Sequence, residues 1–185
     1  TSDLKLTDLQ YKTSKIGDLA IKAGNINSAK YNVNAVLSGM GNNVVIDGYY
    51  NPLDTAHALD FTADIKTLQF SSLESFTSGH LRKSSGFITG NFKIDGNTAD
   101  PKIDGKLNFL EARTNVKFLN QTLYMQNESI SFSKTGLHFN SFHIRDTLNN
   151  MATVEGDVKM HQFKDIHFDM QVRSEKFLVL NTTAI

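Results

Sequence analysis

Cysteine is absent from the chain, and so is tryptophan. Without cysteine the protein has no disulfide, no thiolate metal site and no cysteine nucleophile, while both reducing and oxidising compartments remain open to it. Proline is scarce as well, since only Pro52 and Pro101 occur, each beside an Asn or Asp in a turn-like context. No proline-rich or other low-complexity linker divides the sequence, so we predict a single domain over residues 1–185.

An excess of either charge is also missing, because 19 basic side chains balance 19 acidic ones and no basic run occurs. Binding to nucleic acid requires clustered Lys and Arg that release counterions, so we expect no nucleic-acid partner. The same balance argues against electrostatic docking of the whole chain on an anionic membrane surface.

Long apolar runs are missing too, since none reaches the roughly 18 residues of a membrane-spanning helix. The chain starts with TSDLKL, without an initiator Met or a signal peptide, and stops at FLVLNTTAI in the middle of a repeating pattern. We therefore interpret residues 1–185 as a mature piece or an expressed fragment.

Alternation of apolar and polar residues is what the sequence does contain, along almost its whole length. Ile88, Gly90, Phe92 and Ile94, for example, alternate with polar residues, and a period of two is typical of strands with one buried face. The connections are short and polar, which indicates antiparallel neighbours. The sequence thus predicts an all-β fold, a long antiparallel meander of about a dozen strands. With one apolar face, such a sheet must curl into an open trough or half-barrel with an apolar interior, or pair with a second sheet.

Two places interrupt the alternation. Its phase flips between Phe139 and Phe142, which predicts a β-bulge or sharp bend. Residues 71–86 have apolar positions near helical spacing, and Ser71 with Glu74 fits a capping box. We predict one short helix from Leu73 to Lys83.

Glycines recur in the apolar phase of several predicted strands, where a filled core would favour Val or Ile. Two explanations remain open: the glycines let the sheet bend sharply, or they leave room for a ligand. The residues concerned are Gly39, Gly48, Gly90, Gly105 and Gly156.

Motifs for catalysis or metal binding are weak. The histidines form no HExxH motif, so they are either ligands of a metal site or ordinary solvated side chains. They are His57, His80, His138, His143, His161 and His167. Scattered carboxylates could hide an acid–base pair, but a solvated polar face with Lys and Arg across the ladder is the favoured explanation. GMGNN at 39–43 lacks the lysine and helix of a phosphate loop, and NQT (120–122) and NES (127–129) fit the short glycosylation sequon. We expect no catalytic residue, no metal and no cofactor.

The apolar residues of the alternating strands, which share one face of the predicted sheet, are the remaining candidate site. They form either a closed core or a groove for an apolar ligand. The residues expected to line a groove are Val33, Ile46, Phe61, Ile65, Ile88, Phe92, Ile94, Ile103, Leu107, Phe109, Val154, Val158, Phe168 and Met170.

Two stretches carry a resemblance to a known family. Residues 72–109, from SLESF to GKLNF, and residues 130–160, ISFSKTGLHFNSFHIRDTLNNMATVEGDVKM, resemble the C-terminal region of TamB proteins in the order and spacing of their turns and strands. The resemblance covers most of the chain from about Leu53 onward and is closest to versions from Bacteroidota.

This resemblance implies that residues 1–185 are a fragment of a much longer chain, and it also implies a function and a location. TamB proteins belong with the AsmA-like and bridge-like lipid-transfer proteins; they are anchored in the inner membrane, cross the periplasm of Gram-negative bacteria and form a β-trough with an apolar interior. The implied function is non-enzymatic conduction of phospholipid acyl chains between the inner and outer membranes. The alternative is a β-strand-pairing chaperone that assembles nascent outer-membrane proteins with a TamA-like outer-membrane partner. The enzyme hypothesis has no motif in its favour.

Overall fold

The computed structural model describes residues 1–161 and 165–180. Twelve strands make up most of the described chain, and one 3₁₀ helix, Phe70–Thr77, lies between β5 and β6. The strands are β1 (Ser2–Tyr11), β2 (Ser14–Asn25), β3 (Tyr31–Gly39), β4 (Asn42–Tyr50), β5 (Leu59–Gln69), β6 (Leu81–Gly96), β7 (Pro101–Val116), β8 (Gln121–Met125), β9 (Glu128–Ser133), β10 (Gly136–Arg145), β11 (Met151–His161) and β12 (Asp165–Ser174).

All twelve strands belong to one antiparallel sheet, in which neighbours along the chain are neighbours in space. The exception is the pair β8 and β9, which lie end to end along β7: β8 pairs with the last residues of β7, and β9 with its middle. Strand β10 then continues the meander beside both. The sheet is not closed into a barrel, so the predicted open, all-β meander with one short helix is confirmed.

The register keeps one alternating, mostly apolar set of residues from every strand on the same face, because directly opposed residues share a face of the sheet. One unbroken row shows this from the first strand to the last. It runs through Leu4, Ile21, Ala35, Ile46, Ala63, Phe92, Gly105, Phe132, Leu137, Val158 and Phe168.

The core lies where the helix meets β6, β7, β10 and β11. Phe70 of the helix packs edge-to-face on Phe109 with ring centroids 5.9 Å apart, and Phe109 packs in the same way on Phe142 at 5.7 Å. Ile88 and Val154 complete the buried cluster together with Ala112 and Met125 on the same side. These contacts join strands that are not neighbours, which shows that the sheet curls around its apolar face.

The helix differs from the predicted Leu73–Lys83. It is shorter, begins earlier and is 3₁₀, and its end is marked by Ser78 with a left-handed φ of 52°. Leu81–Lys83 belong to β6, because the chain from His80 onward pairs with β7 and its neighbouring turn. The predicted capping box does not form: Glu74 accepts a hydrogen bond from the backbone N–H of Ser84 and so ties the helix to β6 instead.

The predicted bulge in β10 is confirmed. The register between β10 and β11 shifts between Phe139 and Phe142, where Ser141 has a positive φ of 48°. The extra residue turns both Phe139 and Phe142 toward the core, where their rings meet at 5.6 Å.

A buried carboxylate fixes the last described residues to the sheet. Asp146, in the turn after β10, is 2% exposed. Its Oδ1 accepts hydrogen bonds from the N–H groups of Leu148 and Asn150, and its Oδ2 accepts bonds from the Asn150 side chain and the Leu178 N–H, all within 2.9 Å. Burial by itself would raise the pKa of Asp146, but these hydrogen bonds outweigh burial and hold the pKa below its ordinary value.

Replacing Asp146 by Ala should lower the free energy of unfolding by about 2–4 kcal/mol at neutral pH, because several buried donors lose their acceptor. Urea denaturation measures this. Since the folded-state pKa is depressed, the contribution is present above the unfolded-state pKa of about 3.9 and is lost as the pH falls through the folded-state value. The difference between wild type and variant should therefore shrink in strong acid.

The matched control is Asp47→Ala, which removes an exposed carboxylate that accepts one bond from Asn34 at 3.0 Å. It should change stability by less than about 0.5 kcal/mol. Equal stability of Asp146→Ala and Asp47→Ala at neutral pH would contradict the role given to Asp146.

Candidate apolar groove

The fourteen predicted lining residues share one face of the sheet but differ in exposure. Those packed into the sheet's interior are buried, and they are Ile88, Phe92, Phe109, Val154 and Val158. Those in the middle of the sheet are half-buried, and they are Val33, Ile46, Phe61, Ile65, Ile94, Ile103 and Leu107. Phe168 and Met170, on the last strand, are exposed, Phe168 to 73%.

The face therefore has a filled part and an open part. Ile88, Phe109 and Val154 belong to the core cluster described above, so in this structure they are covered by protein. In the open part, Val33, Gly48, Phe61, Ile94 and Ile103 stand directly opposite one another across β3 to β7. We call the half-buried residues of the middle strands the apolar groove.

Further apolar residues of the same face were not among the predicted lining residues. Each stands opposite a predicted lining residue or another member of the same face, and they include Leu37, Val44, Ile130, Phe132 and Leu137. Their alternation is visible in the sequence. Knowledge of the cross-strand register would have identified them as residues of this face, because the register places Phe132 beside Gly105 and Ile130 beside Leu107.

Gly105 lies between two phenylalanines that meet above it. Phe92 of β6 and Phe132 of β9 both stand opposite Gly105, and their rings pack edge-to-face at 5.1 Å. A Cβ on Gly105, whose φ is 156°, would lie 2.2 Å from the carbonyl oxygen of Asn91 and 2.8 Å from Cδ1 of Phe92. The space is filled by protein, so Gly105 serves close strand approach and aromatic packing rather than leaving room for a ligand.

The other predicted glycines divide into two groups. A Cβ would lie within 2.6 Å of a carbonyl oxygen on the neighbouring strand at Gly48, Gly90 and Gly156. At these positions too, close approach explains the glycine. Gly39 is different: it ends β3, is exposed, and a Cβ there would meet nothing nearer than 3.7 Å. Its assignment to the groove wall was wrong because the strand turns at this residue.

Most polar groups of the strands lie on the opposite face, where His138 Nδ1 is 2.9 Å from Asp157 Oδ1. Glu128 is an exception, since it stands opposite Phe109 at the start of β9, and its Oε1 is 3.2 Å from His143 Nδ1. Among residues 1–161 and 165–180, no three His, Asp or Glu side chains converge to form a metal site.

A cavity of about 580 Å³ lies between the 51–58 loop and the turn before β7. It is lined largely by polar and charged side chains, which include the ion-paired Lys93, Asp60, Lys134 and Asp95. It is therefore a polar hollow, chemically unlike the apolar groove.

Geometry and chemistry together define an open, amphipathic antiparallel sheet with a partly filled apolar face. No family model matches the chain, and no curated protein or solved structure is significantly similar to it. In the part of the chain that the structure describes, no helix has the length and apolar character needed to cross a membrane.

Adding one methyl group at Gly105 tests the packing explanation. Gly105→Ala should destabilise the fold by about 2 kcal/mol or more, since the Cβ collides with backbone that cannot move aside cheaply. Thermal or urea unfolding gives the value.

Gly24→Ala is the matched control, because Gly24 lies inside β2 and a Cβ there would meet only the end of the Asn32 side chain, at 3.0 Å. It should be nearly neutral. Wild-type stability of Gly105→Ala would show that the site has room to spare and would overturn the explanation.

Proposed function

We propose that the protein is a non-enzymatic, lipid-binding segment whose apolar groove holds phospholipid acyl chains. The observation that carries the proposal is the continuous row of half-buried aliphatic and aromatic side chains across β3 to β7. A water-filled apolar trough is unfavourable by itself, and an acyl chain that covers it gains about 0.8 kcal/mol per buried methylene.

The shape of the groove favours a conduit over a closed binding pocket. Strand spacing of about 4.8 Å extends the eleven strand positions of the sheet to roughly 50 Å along the stacking direction, and the five strands of the apolar groove to roughly 20 Å. Similar side chains repeat from β3 to β7, so a bound chain meets nearly the same environment at each of these strands. Such a surface holds a lipid without fixing it at one place, while polar residues on the other face keep the sheet hydrated.

The resemblance of residues 72–109 and 130–160 to TamB proteins supports the same proposal and adds a setting. In that setting the segment lies in the periplasm, as part of an inner-membrane-anchored protein, and conducts phospholipid toward the outer membrane.

A pair of adjacent substitutions on β4 tests lipid binding. Ile46 lies in the apolar groove, opposite Ala35 and Ala63, whereas Val45 points to the polar face opposite Val36 and Asp64. Ile46→Asp should lower the amount of co-purifying phospholipid at least several-fold. An acyl chain bound at this position would bury the aspartate charge, and burial of an unpaired charge is costly in free energy. Mass spectrometry of extracted lipid gives the amount.

Val45→Asp makes the same chemical change on the same strand and should leave the bound lipid unchanged. Circular dichroism establishes that both variants are folded. The proposal fails if wild-type protein carries no phospholipid, or if both aspartates reduce it equally.

A second candidate function is strand pairing with a β-barrel partner, and β12 favours it. Its ten residues pair with β11 without a register shift, no other described strand pairs with its outer edge, and its side chains Phe168 and Val172 are exposed. Strand β1 at the opposite edge is instead broken by register shifts around Leu9 and carries Lys5, features that protect edges from pairing. The edge at β12 is the better template for an incoming strand.

Proline substitutions separate the two functions. Successive N–H groups of an edge strand point alternately to the sheet and to solvent, so one of Asp169→Pro and Met170→Pro removes an outward donor and the other an inward one. Under strand pairing, the outward variant stays folded and binds lipid but loses a TamA-like partner in a pull-down. Retained partner binding by both folded variants would exclude pairing at β12.

A further inference from the structure

One rim of the sheet carries an exposed apolar side chain at every connection. The connections on this side are the β1–β2 turn, the β3–β4 turn, the helix, the β7–β8 turn, the β10–β11 turn and the segment after β12. We define the apolar rim as the exposed apolar side chains in or next to these connections, which we call the tips: Tyr11, Met40, Phe76, Phe118, Leu148 and Val179. Phe118 is 86% exposed and Leu148 71%, so these side chains contribute little to the fold.

Hydrogen bonds join the first three connections of this rim. Ser75 of the helix bonds to Ser14 of the β1–β2 turn, Oγ to Oγ, at 2.7 Å. Asn42, just after the β3–β4 turn, donates to Ser72 Oγ at 3.0 Å. The ring of Tyr11 stacks on that of Phe76 with centroids 4.6 Å apart.

The remaining connections are joined in the same way. The Lys117 N–H donates to the carbonyl of His80, after the helix, at 2.9 Å. Gln121 donates to Thr147 Oγ1 at 3.4 Å, and the Leu178 N–H donates to Asp146 Oδ2 at 2.8 Å. The tips are therefore held in one line along the sheet rather than projecting from independent loops.

The charges beside the tips are mainly positive. Lys12 follows Tyr11, Lys117 precedes Phe118, and Lys176 lies next to the last segment; all three side chains are exposed. Among the acidic groups of this rim, Asp146 is buried under four hydrogen bonds and Glu74 accepts the Ser84 N–H, while exposed Glu175 offsets the charge of its neighbour Lys176 and leaves Lys12 and Lys117 as the excess. The neutral charge of the whole chain thus conceals a local positive excess.

The opposite rim lacks this combination in its described connections. Ile26 and Leu53 are exposed there, 52% and 75%, but the remaining turn residues, such as those at 97–100, are polar or small. On this side Lys93 and Lys134 face carboxylates, in the pairs Lys93–Asp60 and Lys134–Asp95, and Lys30 lies over the ring of Tyr49.

We propose that the apolar rim docks the protein on an anionic lipid bilayer. Apart from Tyr11 and Phe76, which stack on each other, the apolar tips lie on separate connections with polar backbone between them. A bilayer takes up such tips independently, whereas a protein partner buries a contiguous, closely packed patch. Lysines next to aromatic and aliphatic tips match the negatively charged head groups at the interface. The inference goes beyond lipid carriage in the apolar groove, because it assigns membrane contact to a different surface.

Vesicle flotation with phosphatidylethanolamine–phosphatidylglycerol vesicles tests the proposal. The double variant Phe118→Ser and Leu148→Ser should lower partitioning about tenfold or more, since two inserted side chains are lost. The matched control, Ile26→Ser and Leu53→Ser on the opposite rim, should partition like wild type. High salt, or Lys12→Gln with Lys117→Gln, should weaken binding to these vesicles but not to neutral phosphatidylcholine ones.

Three outcomes would overturn the proposal: no flotation of wild-type protein, equal losses in both double variants, or loss of self-association in the rim variant with unchanged flotation. The last would identify the rim as a protein contact. Ile46→Asp, which alters the groove and leaves the rim intact, should float like wild type. Failure of docking is thereby distinguished from failure of lipid binding in the groove.

Discussion

Cross-strand register is the constraint on which the rest of the structure depends. Because side chains alternate between faces, a slip of one residue at any pair of strands would move all apolar residues beyond that point to the wet face. No such change of face occurs along the row of opposed residues from Leu4 to Phe168. Where extra residues enter, as at Ser141, the bulge returns the following residues to the apolar face.

Curling of that face decides which part is filled and which stays open. Phenylalanines from neighbouring strands close over glycines, as Phe92 and Phe132 do over Gly105, and near the helix the core cluster around Phe109 fills the interior. Away from the helix, the middle strands carry mostly half-buried side chains on the same face. Stability and the proposed lipid binding are therefore assigned to different parts of one surface, and the closely packed glycine positions belong to the first.

Much of this could be predicted from the sequence because a period of two is a local pattern that burial enforces in every strand. The meander and the bulge before Phe142 follow from this alternation. The helix boundary could not be predicted in this way, because Leu81 fits both a helical and a strand pattern. Its pairing with Val116 of β7 places it in the strand. Nor could the sequence show that Ile88 is buried while Ile46 is half-buried, because that difference depends on which distant strands curl over each residue.

The central claim is that acyl chains lie on the open part of the apolar face. Paramagnetic relaxation enhancement from a phospholipid spin-labelled on its acyl chain tests it most directly, with methyl-labelled protein. The account predicts strong broadening of the Ile46, Ile65, Ile94 and Ile103 methyl signals and little effect on Val36 and Val45, which occupy the other face. Equal broadening on both faces, or none at the four isoleucines, would contradict it.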